Sequence, residues 1–394
     1  MKLLLTTILY LYARFQCSGQ HSVYDHVELG GYHIGFGDTI IYDDSLRYRG
    51  YGYDGPKPYY IQVWHPVKLI MESGPTLRFG DLTQLDRKGN LAAVLKELET
   101  KEKEILISNF IETNYDTDEA NDFAGKSSED IYNLICKIQT ASLRQPCPKL
   151  SNYPVIVYHH GSQSSSYENY LMAEYFASRG YIFVAANYHL PYEEAVFGLK
   201  PYDQLVAGEE EKSLQRVLRF AKSLSTTNQI YFIGHSWGAQ MGFRTLDKDP
   251  DIRGMVSLET TIEFKTNDDA VLNYWPEVYH KIRTEKASYF FPIMMCAATG
   301  IAEPFWFFED VQSRGMAFVS TEEQFDHEAY HSLYYLRSFI HEKIPQGDVQ
   351  IMNEAFLIYC HHLEAINRFF SEIANGNNPT VIQSTFINRD SKSK

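Results

Sequence analysis

The chain has 394 residues, and its 36 Lys and Arg against 50 Asp and Glu give a formal net charge of −14. Its basic residues are not clustered, and an acidic surface repels phosphate backbones, so a nucleic-acid partner is excluded. The length fits one large domain or two smaller ones, and the ordinary apolar content fits a globular protein with a sizeable core.

The N-terminus has the pattern of a secretory signal peptide. A charged start is followed by an apolar run at 3–12 and a small-residue exit near Gly19. The run is too short to cross a membrane, and no later segment is apolar enough to form a transmembrane span. We expect removal of residues 1–19 and a secreted or periplasmic protein. A lipid anchor at Cys17 is the alternative, which Gln16 disfavours.

An early strand at 59–64 is followed by a charged, mainly helical stretch at about 69–149. We interpret this stretch as an insertion within a single domain, 20–394, because the strand pattern resumes directly after it. Ser127 or Ser128 is a good helix N-cap in this stretch. The apolar residues at helical spacing are Leu91, Val94, Leu95, Leu98, Ile131, Leu134, Ile135 and Ile138.

The cysteines that remain after the leader leave one question open. Cys136 and Cys147 are close enough in sequence to close a small disulfide loop in an oxidising compartment. Cys296 lies in an apolar run and is predicted to be a buried thiol. The spacings do not fit a zinc ribbon.

From residue 154 onwards, short apolar strands alternate with helices. This alternation predicts an α/β fold with a mostly parallel central sheet and helices on both faces. In such sheets, the chemistry collects at the carboxyl ends of the strands. The predicted strands are 155–160, 181–187, 229–233, 254–259, 291–297 and 316–321. The predicted helices include 167–179, 211–224 and a final amphipathic helix at 349–374.

The pentapeptide Gly234-His235-Ser236-Trp237-Gly238 stands between an apolar strand and a helix start. A serine on a sharp strand-to-helix turn exposes its hydroxyl, and the flanking glycines let strand and helix pass closely. The pattern therefore indicates that Ser236 is a nucleophile. His235 is predicted to point away from the hydroxyl and to pack.

A serine hydroxyl needs an imidazole to take its proton, and the imidazole needs a carboxylate to orient it. In this kind of fold, the chain order is serine, acid, histidine. Glu259 ends the strand after the nucleophile strand and is the favoured acid, whereas Glu303 follows the next strand and is the alternative. His327 is the first histidine after the last strand and is the predicted base.

An oxyanion hole requires two preorganised N–H groups. One is predicted to be the amide of Trp237, directly after the nucleophile, and the other the amide of Ser162, after the strand at 155–160. His159 and His160 precede this loop and are interpreted as scaffolding rather than as metal ligands.

His327, Glu328 and His331 also form an H-E-x-x-H motif, which on a helix binds zinc in metallopeptidases. Glu354 is then a possible third ligand. This alternative leaves the pentapeptide, the Gly161 loop and the strand order unexplained, so we expect no metal in the site.

The chain resembles serine α/β-hydrolases of the platelet-activating-factor acetylhydrolase and dienelactone-hydrolase-like type. The likeness is carried by 155–161, 177–187 and the pentapeptide 234–238. It implies the α/β-hydrolase fold, here with a helical insertion before the oxyanion strand. The family usually has aspartate as its acid, and this chain has glutamate there. The residues that the resemblance implies for acid, base and second oxyanion donor are Glu259, His327 and Ser162.

We therefore expect a serine esterase, lipase-like or acetylhydrolase-like, that forms an acyl-enzyme and needs no metal or organic cofactor. Its substrate is expected to be a small-molecule or lipid ester. A non-catalytic binding protein on the same fold is the second hypothesis. The acyl group, the alcohol and the oligomeric state stay open.

Overall fold

The computed structural model describes residues 23–68, 75–87, 89–112, 126–259, 272, 275–298, 307, 310–320, 325–340, 346–377, 379 and 384–385. The predicted signal peptide 1–19, Cys17 and the alternative acid Glu303 lie outside these residues. None of the described helices is long and apolar enough to cross a bilayer.

The described strands form a large sheet of ten strands and a separate two-stranded one. In the large sheet the strand order is β12-β11-β9-β7-β6-β4-β5-β2-β1-β3, and β8 pairs with β10 in the small one. Among the strand pairs that the structure describes in this sheet, only β1–β2 and β2–β5 are antiparallel, which confirms the predicted mostly parallel sheet. The strands are β1 (His33–Gly50), β2 (Tyr53–Val67), β3 (Ser142–Arg144), β4 (Val155–His159), β5 (Ile182–Ala186), β6 (Ile230–His235), β7 (Ile252–Leu258), β8 (Ser288–Tyr289), β9 (Ile293–Cys296), β10 (Gln312–Ser313), β11 (Met316–Ser320) and β12 (Ser384–Thr385).

Helices connect the parallel strands. The α-helices are α1 (Phe79–Thr83), α2 (Ala92–Glu112), α3 (Ser128–Ile135), α4 (Tyr170–Ala177), α5 (Glu209–Lys222), α6 (Trp237–Thr245), α7 (Pro276–Tyr279) and α8 (Gln346–Ala374). A π-helical turn follows at His280–Thr284. The 3₁₀ turns are Val23–Asp25, Gly89–Leu91, Tyr202–Gln204, Leu246–Lys248, Glu328–Tyr330 and Ser332–Phe339.

The sheet is covered on both faces, as the apolar strands predict. Along β4, Val155 and Val157 pack in one cluster with residues of α5 and α6. The alternating residues Ile156 and Tyr158 pack in another cluster with α4 and α8. Because side chains alternate along a strand, the two clusters lie on opposite faces. Because helices pack on both faces, the carboxyl ends of the central parallel strands are held in fixed positions on the same side of the sheet.

The stretch predicted as a helical insertion at about 69–149 is helical only in part. Helices α1, α2 and α3 lie in it, and Ser127 caps α3 by accepting from the amide of Asp130 at 3.1 Å. Its last part returns to the sheet, because β3 pairs in parallel with β1. Three residues are too short a run to give a strand pattern, so the sequence did not reveal β3.

Helix α2 packs on the sheet through the apolar residues that its spacing predicts. Val94, Leu95 and Leu98 of α2, with Leu91 of the 3₁₀ turn just before it, are buried with tyrosines of β1 and β2. The insertion is therefore attached to the sheet through a hydrophobic cluster of its own.

Cys136 and Cys147 are both free thiols, so the disulfide that was left open does not form. The reason is where each one packs. Cys136 ends α3 beside Gly80 of α1, whereas Cys147 lies beside Gly37 of β1. Cys296 is a buried thiol, as predicted.

Candidate active site

Ser236 lies between the end of β6 and the start of α6, in a conformation rare for a residue with a side chain. Its φ is 51° and its ψ is −115°. Such strain costs on the order of 1–3 kcal/mol and persists only where surrounding contacts enforce it. Here the Ser236 amide donates to the carbonyl of Leu258 at 3.0 Å, and the Ser236 carbonyl accepts from Ala239 at 3.0 Å.

The two glycines of the pentapeptide are required by close packing. A Cβ at Gly234 would lie 2.5 Å from the amide nitrogen of Ala239. A Cβ at Gly238 would lie 2.1 Å from the carbonyl oxygen of His159 on the neighbouring strand. No side chain fits at either place, so this serine-bearing turn has the steric requirements of a nucleophile elbow.

Glu259 and His327 are brought into contact. Glu259 follows β7 directly, is fully buried, and is held by its amide, which donates to the carbonyl of Cys296 at 2.9 Å. Its φ is also positive, 38°. Its Oε2 accepts a hydrogen bond from Nδ1 of His327. With the ring proton on Nδ1, Nε2 of His327 is the nitrogen that can accept a proton.

The surroundings of His327 keep its ring neutral. Burial lowers the pKa of His327 to about 4, and the nearby His235 acts in the same direction. A general base must be unprotonated at the working pH, so this shift suits the part of a base at pH 7.

Ser236 and His327 line a common cleft of about 520 Å³. Ser162 also lines this cleft, after β4. Trp237 is the first residue of α6, and the first amides of a helix have no acceptor within the helix. Helix α2 contributes a wall of the cleft through four residues: Ile105, Leu106, Asn109 and Phe110.

A second cavity, of about 260 Å³, also borders Trp237. Its lining includes the rings of His159, Tyr188 and Tyr192. His159 stacks on Tyr188 with ring centroids 3.6 Å apart. The elbow thus has a polar cleft at Ser236 and an aromatic cavity at Trp237.

His159 and His160 support the backbone of the loop at 161–166, which is the predicted oxyanion loop. Nδ1 of His159 bonds the carbonyl of His160 at 2.9 Å, and Nδ1 of His160 bonds the carbonyl of Gly161 at 2.7 Å. Nε2 of His160 accepts from the amide of Tyr188 at 3.3 Å. These contacts match the scaffolding that the sequence predicted.

A second carboxylate–histidine pair, Glu168 with His235, also lines the cleft, and sequence reasoning missed it. Oε1 of Glu168 lies 2.9 Å from Nδ1 of His235, and both side chains are almost completely buried. The sequence predicted that His235 packs, but its ring is hydrogen-bonded to Glu168 and to the backbone of His327. No local signal marks Glu168, because its partner is 67 residues away in sequence.

The H-E-x-x-H segment does not form the helix that the zinc alternative requires. Residues Glu328–Tyr330 form one 3₁₀ turn, and His331 is extended. Nε2 of His331 bonds Glu328 at 2.7 Å, and Glu354 is exposed on α8. In the part of the chain that the structure describes, no group of three or more His, Cys, Asp or Glu could hold a metal ion.

Comparisons with known proteins agree with this architecture. Residues 154–291 match the family model of the alpha/beta hydrolase fold. A ferulic acid esterase from Streptomyces cinnamoneus is similar over 91% of this chain and 94% of its own, with a TM-score of 0.52 and 14% identity. No curated protein matches the chain. The chain therefore has the α/β-hydrolase fold.

Two further solved structures match a smaller part. An S-formylglutathione hydrolase from Agrobacterium tumefaciens is 14% identical, with 52% of this chain and 85% of that chain covered and a TM-score of 0.32. An esterase from Pyrococcus furiosus is 15% identical, with 55% and 83% covered and a TM-score of 0.32. These matches do not single out the platelet-activating-factor acetylhydrolase and dienelactone-hydrolase-like group.

Proposed function

We propose that the protein is a serine hydrolase of carboxylic esters with a Ser236–His327–Glu259 triad. The observation that carries the proposal is the contact of buried Glu259 with His327 at the cleft that Ser236 lines. An oriented, neutral imidazole beside a strained elbow serine is the arrangement that activates a hydroxyl.

The reaction follows from the position of each group. Ser236 Oγ attacks the ester carbonyl while Nε2 of His327 takes its proton, and the amides of Trp237 and Ser162 stabilise the oxyanion. Collapse of the tetrahedral intermediate breaks the C–O bond, and the alcohol leaves with the proton from His327. A water molecule, deprotonated by His327, then attacks the acyl-enzyme and releases the acid, and Ser236 regains its proton. Side chains and backbone amides of the chain supply every catalytic group in these reaction steps, with no metal or organic cofactor.

Hydrolysis of nitrophenyl esters of increasing acyl length tests the proposal. Wild-type protein is expected to hydrolyse at least one member, with the rate of Ser236→Ala falling to background. A folded wild-type protein that hydrolyses none of the panel would support a binding protein on this fold. A chelator is expected to leave the rate of hydrolysis unchanged. Loss of activity on chelation would favour the zinc alternative.

We propose that the insertion selects among small-molecule and lipid esters. Helix α2 contributes four residues to the cleft, among them Phe110. Phe110→Ala is expected to shift the preference toward longer acyl chains by about tenfold in relative kcat/KM, because it removes a buried aromatic ring. Leu98→Ala is the control, since Leu98 lies in the same helix and packs on the sheet. An unchanged preference in Phe110→Ala would count against this role.

We also propose that the protein is secreted or periplasmic, on the signal-peptide pattern of residues 1–19. Mass spectrometry of the mature N-terminus tests this: cleavage near Gly19 is expected. An intact Met1 in exported protein, or a lipid on Cys17, would contradict it.

A further inference from the structure

We propose that Glu168 and His235 are positioning residues, a buried carboxylate–imidazolium pair that joins the oxyanion loop to the His327 loop and holds a fixed positive charge beside His327. The catalytic part of this inference rests on the proposed ester hydrolysis. The charge state of the pair does not.

The hydrogen bonds of His235 define its charge. Nδ1 lies 2.9 Å from Oε1 of Glu168, and Nε2 lies 3.1 Å from the backbone carbonyl oxygen of His327. A carbonyl oxygen only accepts, and so does a carboxylate. A neutral imidazole has one N–H to donate, so only the doubly protonated ring satisfies both contacts.

The charge of each partner is stabilised by the other. Burial by itself would raise the pKa of Glu168, but the neighbouring His235 holds it well below its ordinary value. Burial by itself would lower the pKa of His235, but Glu168 raises it above its ordinary value. The two directions agree with an ion pair at neutral pH.

The pair connects three segments of the site. Oε2 of Glu168 accepts from the amide of Gly161 at 3.1 Å, next to the proposed oxyanion donor Ser162. Its Oε1 also accepts from the hydroxyl of Tyr158 at 2.5 Å, which anchors it to the sheet. His235 adjoins Ser236 in the chain and donates to the backbone of His327. Displacement of either partner therefore moves the oxyanion loop relative to the base.

The same charge acts on the base directly. The rings of His235 and His327 lie 4.9 Å apart between centroids, and a cation at that distance opposes protonation of His327. Glu328 and, less strongly, Glu168 work in the opposite direction, since each favours the protonated form of His327. The titratable groups around His235 are Glu168, Tyr158 and His160 on the oxyanion side and His327, Glu328 and His331 on the other.

The pH dependence of kcat/KM tests the catalytic part. His235→Gln removes the cation, so the acidic limb of the profile is expected to move to higher pH by about one unit. At the pH optimum, kcat is expected to fall roughly 10- to 100-fold while KM changes less than about threefold. His65→Gln is the matched control, since His65 is a buried histidine that does not line the cleft. The acidic limb of its kcat/KM profile and its kcat are expected to match those of the wild type.

Glu168→Gln and the double variant Glu168→Gln/His235→Gln separate position from charge. Both are expected to lower kcat, and the double variant keeps two amides that can hydrogen-bond to each other. If His235→Gln fails to fold, the double variant supplies the profile. A limb at the wild-type pH in folded His235→Gln, or in the double variant, would overturn the electrostatic role.

A spectroscopic measurement decides the charge state without turnover. In Ser236→Ala protein, ¹⁵N NMR of the histidine rings is expected to give two protonated nitrogens for His235 at pH 7 and one for His327. A neutral His235 at pH 7 would overturn the inference whatever the enzyme hydrolyses. An imidazolium His235 in a protein inert to esters would leave the ion pair standing and sink the proposed function alone.

Discussion

Two glutamate–histidine pairs lie within one site, and they differ in what surrounds the histidine. Both carboxylates are buried, but the side chain of His327 is 28% exposed, whereas that of His235 is 3% exposed. His327 contacts Glu259, and burial lowers its pKa to about 4. His235 lies between two acceptors, and Glu168 outweighs burial to raise its pKa. The same residue types therefore give a neutral base in one pair and a fixed cation in the other.

Removal of the imidazole from the first pair is expected to have the largest effect. His327→Gln should lower kcat/KM on nitrophenyl esters by about 10⁴-fold or more, because the serine then has no base. His235→Gln is the comparison, and it is expected to lose less activity than His327→Gln. Equal losses in the two variants would contradict the division of roles.

The acid of the first pair comes next. Glu259→Gln keeps the size of the side chain but not its charge, and kcat/KM should fall by about 10²- to 10⁴-fold. Glu303→Gln, the variant of the other acid that the sequence offered, should stay within about threefold. The reverse order of the two variants would assign the acid to Glu303.

The second pair is expected to affect stability. Glu168→Gln should lower the free energy of unfolding by about 3 kcal/mol, because it leaves a buried imidazole without its counter-charge. Glu168 contributes stability above its unfolded pKa of about 4.3, and His235 contributes below about 6.5. The stability that Glu168 contributes is lost as pH falls through its depressed folded-state pKa. The stability that His235 contributes is lost as pH rises through its raised folded-state pKa. Urea unfolding should therefore give the largest defect between roughly pH 4.3 and 6.5. A defect that does not vary with pH would argue against an ion pair.

A third buried glutamate, without a histidine partner, sharpens the comparison. Burial raises the pKa of Glu102 on α2 to about 8, opposed by the bond from Asn187 at 2.5 Å. The folded state thus keeps a proton that the unfolded chain releases, so stability falls as pH rises from about 4.5 to 8. Glu102→Gln should raise the free energy of unfolding at pH 8 by on the order of 2 kcal/mol and change little at pH 4. Equal stability of the two proteins at pH 8 would contradict this.

The sheet could be predicted where its strands are apolar on both faces. The runs at β4, β5 and β6 are continuous because helices cover both sides. Strand β1 could not be recognised, because it is an antiparallel strand near the edge with charged residues such as Asp44 and Arg47 exposed along it. Exposed polar positions weaken the apolar pattern that marks a strand.

The candidate site could be predicted for residues that directly follow a strand, because strand order then determines which of them lie close together. Ser236 and Glu259 follow adjacent strands, so their nearness follows from strand order. Glu168 was not predictable, since a glutamate at a helix start usually faces solvent. Its burial depends on the approach of His235 and Tyr158, and this is a tertiary contact.

Reaction with a fluorophosphonate, followed by peptide mass spectrometry, tests the central claim most directly. The triad predicts one label per chain in the wild type, on Ser236, and no label in Ser236→Ala. Labelling should be slower in His235→Gln than in the wild type, and its rate should be lowered by about 10³-fold or more in His327→Gln. A folded wild-type protein that takes up no label, or a His327→Gln variant labelled at the wild-type rate, would contradict it.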